Sequence, residues 1–224
     1  MNPEEIKAVL DQYQSLTGLQ RLHVAKRMQW CQYDQVAALL PPAGRVLDVG
    51  CGHGHFGAYL ALHRPELLTY GCDPDERKIA VALASRPAME RGPCHFFCGD
   101  CRAWDEIADE TFDGIVVLDV LYLMPVVQQK DLLRWLAARL VPGGRLVLKT
   151  IDPRRGSSSF MAMAQEFVMV RLLRRTRSSG TFAGGRPPAF YMEKLQGFGL
   201  CTECIPLPQN RTPSVLVVGT KPAP

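Results

Sequence analysis

The stretch VLDVGCGHGHFG, Val46 to Gly57, decides how this chain is read. Four glycines, a cysteine and two histidines fall within its twelve residues. It follows a short β-type run, Arg45–Val49, and leads into a helical pattern, His55–His63. Glycine lets a backbone turn sharply and approach a ligand closely. A loop between strand and helix in an open parallel sheet sits at the carboxyl end of the strand, where nucleotide-like ligands bind. The following helix offers unpaired N–H groups there. Spacing narrows the choice. Gly50, Gly52 and Gly54 make G-x-G-x-G. A dinucleotide fingerprint is G-x-G-x-x-G, and His55 stands where its last glycine belongs. A P-loop closes on G-K-[ST], and this loop has no lysine.

Outside the loop, the composition is that of a globular protein. The chain has 224 residues, 47% hydrophobic and 21% charged, with a formal net charge of +4. That length suits one α/β domain with additions. The opening MNPEEIKAVLDQYQSL does not read as a signal peptide, and no run reaches the length of a membrane span. The expectation is a cytoplasmic protein whose eight cysteines are mostly reduced thiols.

Asn2-Pro3-Glu4-Glu5 is a helix start, followed at helical spacing by Ile6, Val9, Leu10, Tyr13 and Leu16. A second helical region spans about Leu19 to Leu40, in one or two pieces, and Pro41-Pro42 ends it. Residues 1–44 are expected to form an N-terminal helical lid, and 45–224 the main domain. Strand candidates Arg45–Val49, Leu68–Cys72, His95–Cys98, Phe112–Asp119 and Arg145–Thr150 alternate with helical stretches. Such alternation argues for parallel βαβ units. Leu200–Ile205 and Ser214–Gly219 are close in sequence and should pair antiparallel. Between them and the fifth strand, about 151–190 reads as a helical and arginine-rich insertion.

The companions of the loop settle what it holds. Asp48 precedes it by two residues, and Asp73, followed by Pro74, ends the second strand. Gly99-Asp100 ends the third strand, and FDGIVVLDVLYLMP and LVPGGRLVLK follow in order. This set resembles the class I S-adenosylmethionine (SAM)-dependent methyltransferases over roughly Arg45–Thr150. The resemblance implies a Rossmann-like doubly wound sheet of seven strands, mostly parallel with an antiparallel last strand, helices on both faces.

It also implies roles, position by position. Asp48 would orient the loop and reach the amino-acid part of SAM. Gly50, Cys51, Gly52 and Gly54 would form the loop against its methionine and ribose portions. Asp73, with Pro74 beside it, would bind the ribose hydroxyls. Asp100 would accept from the adenine amino group and the Cys101 backbone would meet the ring. Asp119 either caps its strand or sits beside the transferring methyl group. SAM carries a sulfonium and an amino acid rather than a pyrophosphate, so a loop with carboxylates and no basic clamp suits it.

Other clusters have plainer readings. Cys51, His53 and His55 splay apart in a tight turn, whereas tetrahedral zinc needs converging ligands; no metal is expected. Cys98/Cys101 and Cys201/Cys204 are spaced C-x-x-C, but the family's strand order puts them at opposite edges, so they read as buried thiols. The stretch Ser158–Arg175 reads as a methionine-rich helix, either core packing or a cover over a greasy acceptor. In the run RLLRRTRSSGTFAGGR that begins at its end, Arg171, Arg174, Arg175 and Arg177 stand with no acid among them. They form a solvated face or contact an anionic acceptor, an acyl carrier protein or a membrane surface.

Methyl transfer is an in-line displacement in which alignment and exclusion of water dominate. An oxygen or carbon acceptor also loses a proton, for which Asp119, Tyr122 and His23 are the candidates. The motif LDVLYLMP lacks the N-P-P-Y pattern of amino-methylating nucleic-acid enzymes and the Pro-Cys of cytosine C5 enzymes. The expectation is therefore methylation of a small-molecule, lipid-like or polyketide/aryl acceptor. The rival readings are an RNA methyltransferase, an aminopropyl transferase and a non-catalytic SAM-binding protein.

Overall fold

The computed structural model describes residues 1–13, 18–85, 94–152, 186–207 and 214–224, apart from the side chains of residues 19, 20, 23 and 30. The strands are β1 (Gly44–Val49), β2 (Leu67–Asp73), β3 (Cys94–Cys98), β4 (Phe112–Leu118), β5 (Leu140–Ile151), β6 (Cys201–Pro206) and β7 (Ser214–Thr220). They form a mixed sheet in the order β3-β2-β1-β4-β5-β7-β6. β2 runs parallel to β1 and to β3, and β7 runs antiparallel to β5 and to β6. This is the expected Rossmann-like α/β fold. The chain divides into two compact units, Met1–Val116 and Val117–Pro224.

The first unit carries α1 (Pro3–Leu10), α2 (Gly18–Cys31), α3 (Tyr33–Ala38), α4 (His55–His63) and α5 (Glu76–Ser85). The Asn2 side chain accepts from the Glu5 amide at 2.8 Å, and the Glu5 carboxylate accepts from the Asn2 amide at 2.7 Å. This capping box, with Pro3 in the first turn, fixes where α1 starts; such caps contribute about 1 kcal/mol. The helix stops at Leu10, sooner than apolar spacing out to Leu16 suggests. Just past the stop, Arg21 of α2 donates to the Tyr13 carbonyl at 3.1 Å and pairs with Asp11 at 3.2 Å. The helical region from Leu19 to Leu40 is in two pieces, split at Gln32, whose φ of 49° is left-handed. α4 is buried from His55 through Ala61, because α1, α3, β2 and β3 all pack against it.

The second unit carries α6 (Val126–Ala138) and α7 (Pro188–Gly197). Leu133, Leu136, Leu146, Val147, Val217 and Val218 form its dry interior. β5 begins at Leu140, not after the Pro142-Gly143-Gly144 turn. The reason is a continued ladder: Gly143 donates to the Lys221 carbonyl at 2.8 Å, and Lys221 donates to the Gly144 carbonyl at 3.0 Å.

One expectation needs correcting. Cys101 is buried, but Cys98, Cys201 and Cys204 are exposed. β3 and β6 stand at the two ends of the strand order, so their side chains have neighbours on fewer sides. The Ser158–Arg175 stretch and Arg171, Arg174, Arg175 and Arg177 lie outside the described residues. No helix among the described residues is long and apolar enough to cross a membrane.

Candidate functional site

In the first unit, the glycine loop is tied to the end of β2. The amides of Gly50 and Cys51 both donate to the Cys72 carbonyl, at 2.8 and 3.0 Å. The Gly54 amide closes the turn on the Cys51 carbonyl at 3.0 Å. Gly50, Gly52 and Gly54 have φ values of 76°, 59° and 75°, a left-handed region that favours glycine. Their surroundings differ. A Cβ on Gly54 would lie 2.7 Å from the Phe96 ring, whereas one on Gly52 would meet nothing within 4 Å. Gly54 therefore serves packing, and Gly52 faces open space.

Asp73 joins this loop from β2. Its carboxylate accepts from the Gly52 amide at 3.0 Å and from the Asp75 amide at 2.9 Å, and Lys78 lies 3.8 Å away. Asp48, at the end of β1, is also buried. Burial, reinforced by the neighbouring Asp73 charge and opposed by Arg27, pushes its carboxyl up to about 7. Asp100 follows β3 and caps a short turn, accepting from the Arg102 amide at 2.9 Å. The Arg102 guanidinium also grips it at 2.9 and 2.5 Å and holds the carboxyl below its ordinary range. Cys101 is buried behind it, and its thiol donates to the Asp100 carboxylate at 3.8 Å. Burial and the adjacent Asp48 and Asp73 push the Cys51 thiol well up, so it is held as a neutral thiol. Pro74 is exposed, between Asp73 and α5.

The first unit thus brings Asp48, the glycine loop and Asp73 together, with Asp100 and Cys101 beyond the next strand. Carboxylates and loop amides, with open space over Gly52, suit a cofactor bearing hydroxyl, amino and cationic groups. Among the described residues no group of three or more His, Cys, Asp or Glu converges as a metal site.

In the second unit, Asp119 follows β4 at φ 59°. Lys149 of β5 donates to its carboxylate at 2.6 Å, with side-chain exposures of 4% and 10%. The Asp119 amide in turn donates to the Lys149 carbonyl at 3.3 Å. Tyr122 is buried in the short turn Leu121–Leu123. His23 lies on α2, and its side chain is outside the described residues.

Two residues of interest were passed over in the sequence. Lys149 shows there only as one charge in an apolar strand, LVLKTI, a weak sign of a buried ion. Tyr13 reads as one more apolar position on a helix.

Residues 23–180 match the model of the Methyltransferase domain family. The chain belongs to that family. Among curated relatives, it is 36% identical over 117 residues to the ribosomal RNA small subunit methyltransferase C of Chromohalobacter salexigens, covering 50% of this chain and 33% of the relative. It is 28% identical over 144 residues to the ubiquinone biosynthesis O-methyltransferase of Xanthomonas axonopodis pv. citri, covering 62% and 56%. Each match thus takes in little more than half of the relative's length, or less. Among solved structures, the magnesium protoporphyrin IX methyltransferase of Synechocystis PCC 6803 with bound SAH superimposes with a TM-score of 0.65 at 19% identity, covering 98% of this chain and 95% of that one. That likeness is one of fold. The chain thus carries a methyltransferase domain on a Rossmann-like sheet.

Proposed function

We propose that this methyltransferase acts on a small, lipid-like or aryl acceptor at oxygen or carbon. The observation that carries the reading is the buried pair of Asp119, just past β4, and Lys149 in β5. A hydroxyl or carbon acid must lose a proton to attack, and a carboxylate held in a fixed place can accept it. Asp119 is the group assigned to receive it or to orient the hydroxyl, with Tyr122 and His23 as alternative partners. Lys149 keeps the Asp119 carboxylate fixed and its charge balanced. The ubiquinone O-methyltransferase relative supports the same class of acceptor.

When bound, SAM supplies an electrophilic methyl group. Asp73 takes its ribose hydroxyls, with Pro74 beside it. Gly50, Cys51, Gly52 and Gly54 lie along its methionine portion. Asp48 serves its amino group, and Asp100 and Cys101 serve adenine. The Arg171–Arg177 segment is assigned to an anionic acceptor, a carrier protein or a membrane surface.

The 36% identity to a ribosomal RNA methyltransferase favours one rival, an RNA acceptor. Labelled SAM incubated with fractionated host extract, with and without ribonuclease, separates the two. Label in a ribonuclease-resistant small molecule supports the proposal, and label lost with the RNA overturns it.

A further inference from the structure

Tyr13 lies in the first unit just after α1 and is fully buried. Its hydroxyl donates to the His53 carbonyl at 3.0 Å, and its ring packs on His55 at 4.9 Å between centroids. The side chain also lies beside Ser85, at the end of α5. One side chain therefore joins the N-terminal segment, the glycine loop, α4 and α5. Its own place is set by Arg21 of α2, which holds the Tyr13 carbonyl at 3.1 Å and Asp11 at 3.2 Å.

The bond to His53 falls at a sensitive point. Gly52 and Gly54 flank His53 and both are left-handed. Peptides beside glycine rotate between alternative turn geometries at little steric cost. The His53 carbonyl is thus the group whose direction chemistry leaves least determined, and Tyr13 determines it. A loop fixed before ligand arrives loses less conformational entropy on binding.

We propose that Tyr13 is a positioning residue for the cofactor loop: through the His53 carbonyl it makes the N-terminal helices a buttress that presets the loop for SAM. The inference rests on reading residues 50–54 as the SAM loop. It differs from a lid, because the fully buried tyrosine acts on the loop's own backbone. It acts on the loop and not on the methyl group, so it serves SAM and its demethylated product SAH alike.

The test is calorimetric titration of SAM and SAH into the full chain, wild type and Tyr13→Phe, with amide hydrogen exchange at residues 52–54. The ring is kept, so packing is kept. The expected result is about fivefold weaker binding of both ligands, the scale of one neutral hydrogen bond, with faster loop exchange in the free protein. Arg21→Gln, at a half-exposed position, should shift both readouts in the same direction by about twofold to threefold. Binding by Tyr13→Phe equal to wild type overturns the proposal. So does a lowered melting temperature with unchanged loop exchange, which is the mark of a merely structural tyrosine. Failure of the wild type to bind SAM overturns the cofactor reading itself, a distinct outcome.

Discussion

Lys149 and Asp119 are tied twice, by an ammonium–carboxylate contact of 2.6 Å and by a backbone bond of 3.3 Å in the other direction. Both side chains are withdrawn from water, and Asp119 adopts a left-handed backbone besides. Desolvating two ions and straining one backbone are both costly. Packing alone does not call for either, which is why the pair draws the functional assignment. Asp119→Asn should lower methyl transfer by about a hundredfold, the ordinary scale of a lost proton acceptor. SAM affinity should change by less than about twofold. Turnover with labelled SAM and calorimetry read the two effects; undiminished turnover leaves Asp119 a structural residue.

The pair also matters for folding. Lys149→Met leaves a buried carboxylate without its ammonium, and such losses cost about 3–5 kcal/mol. Lys149→Met with Asp119→Asn should recover much of that loss. Denaturant melts of the single and double variants give the coupling directly.

Asp73 holds the Gly52 amide in the free protein and is assigned to the ribose hydroxyls. Asp73→Ala removes both, so SAM affinity should fall at least about tenfold, the range for hydrogen bonds to a charged group. Calorimetric titration measures it, and full affinity in that variant excludes the ribose role.

The two glycines of the loop should part company. Gly54→Ala drives a methyl into Phe96 and Ala82 and should destabilise the fold by several degrees of melting temperature. Gly52→Ala meets no neighbour, so its folding cost is the left-handed backbone alone, about 1 kcal/mol. Its methyl occupies the space assigned to SAM, so binding is lost while the protein stays folded. Melting curves with and without SAM separate the cases.

Asp48 makes stability depend on pH. Its carboxyl rises on folding from 3.8 to about 7, so the folded protein holds a proton that the unfolded chain releases. Stability from this group is full below about pH 4 and declines as pH rises to about 7; above that the fold carries a buried anion. Asp48→Asn should flatten the melting temperature between pH 5 and 8 and stabilise the protein at pH 8. An unchanged pH profile would falsify the assignment of that slope to Asp48.

Much of this was legible in the residues. The three-glycine spacing, Asp73 at the end of its strand and the alternation of strands with helices are local patterns, and the fold honours them. Long-range tertiary bonds were not legible. Nothing around Arg21 signals that it meets Asp11 and the Tyr13 carbonyl, and nothing in LVLKTI says which acid Lys149 meets. The exposure of Cys201 and Cys204 also depends on position in the sheet. A short run with two thiols looks the same in a central strand and at an edge, and only the strand order distinguishes them.

The uneven burial of the cysteines has a practical consequence. Cys31, Cys72, Cys94 and Cys101 are buried, all within the first unit, while Cys98, Cys201 and Cys204 are open to solvent. A maleimide pulse should tag the open three at once and the buried four only as fast as the first unit breathes. The native sequence thus carries its own clock for opening around the glycine loop, readable as a mass ladder without any engineered label.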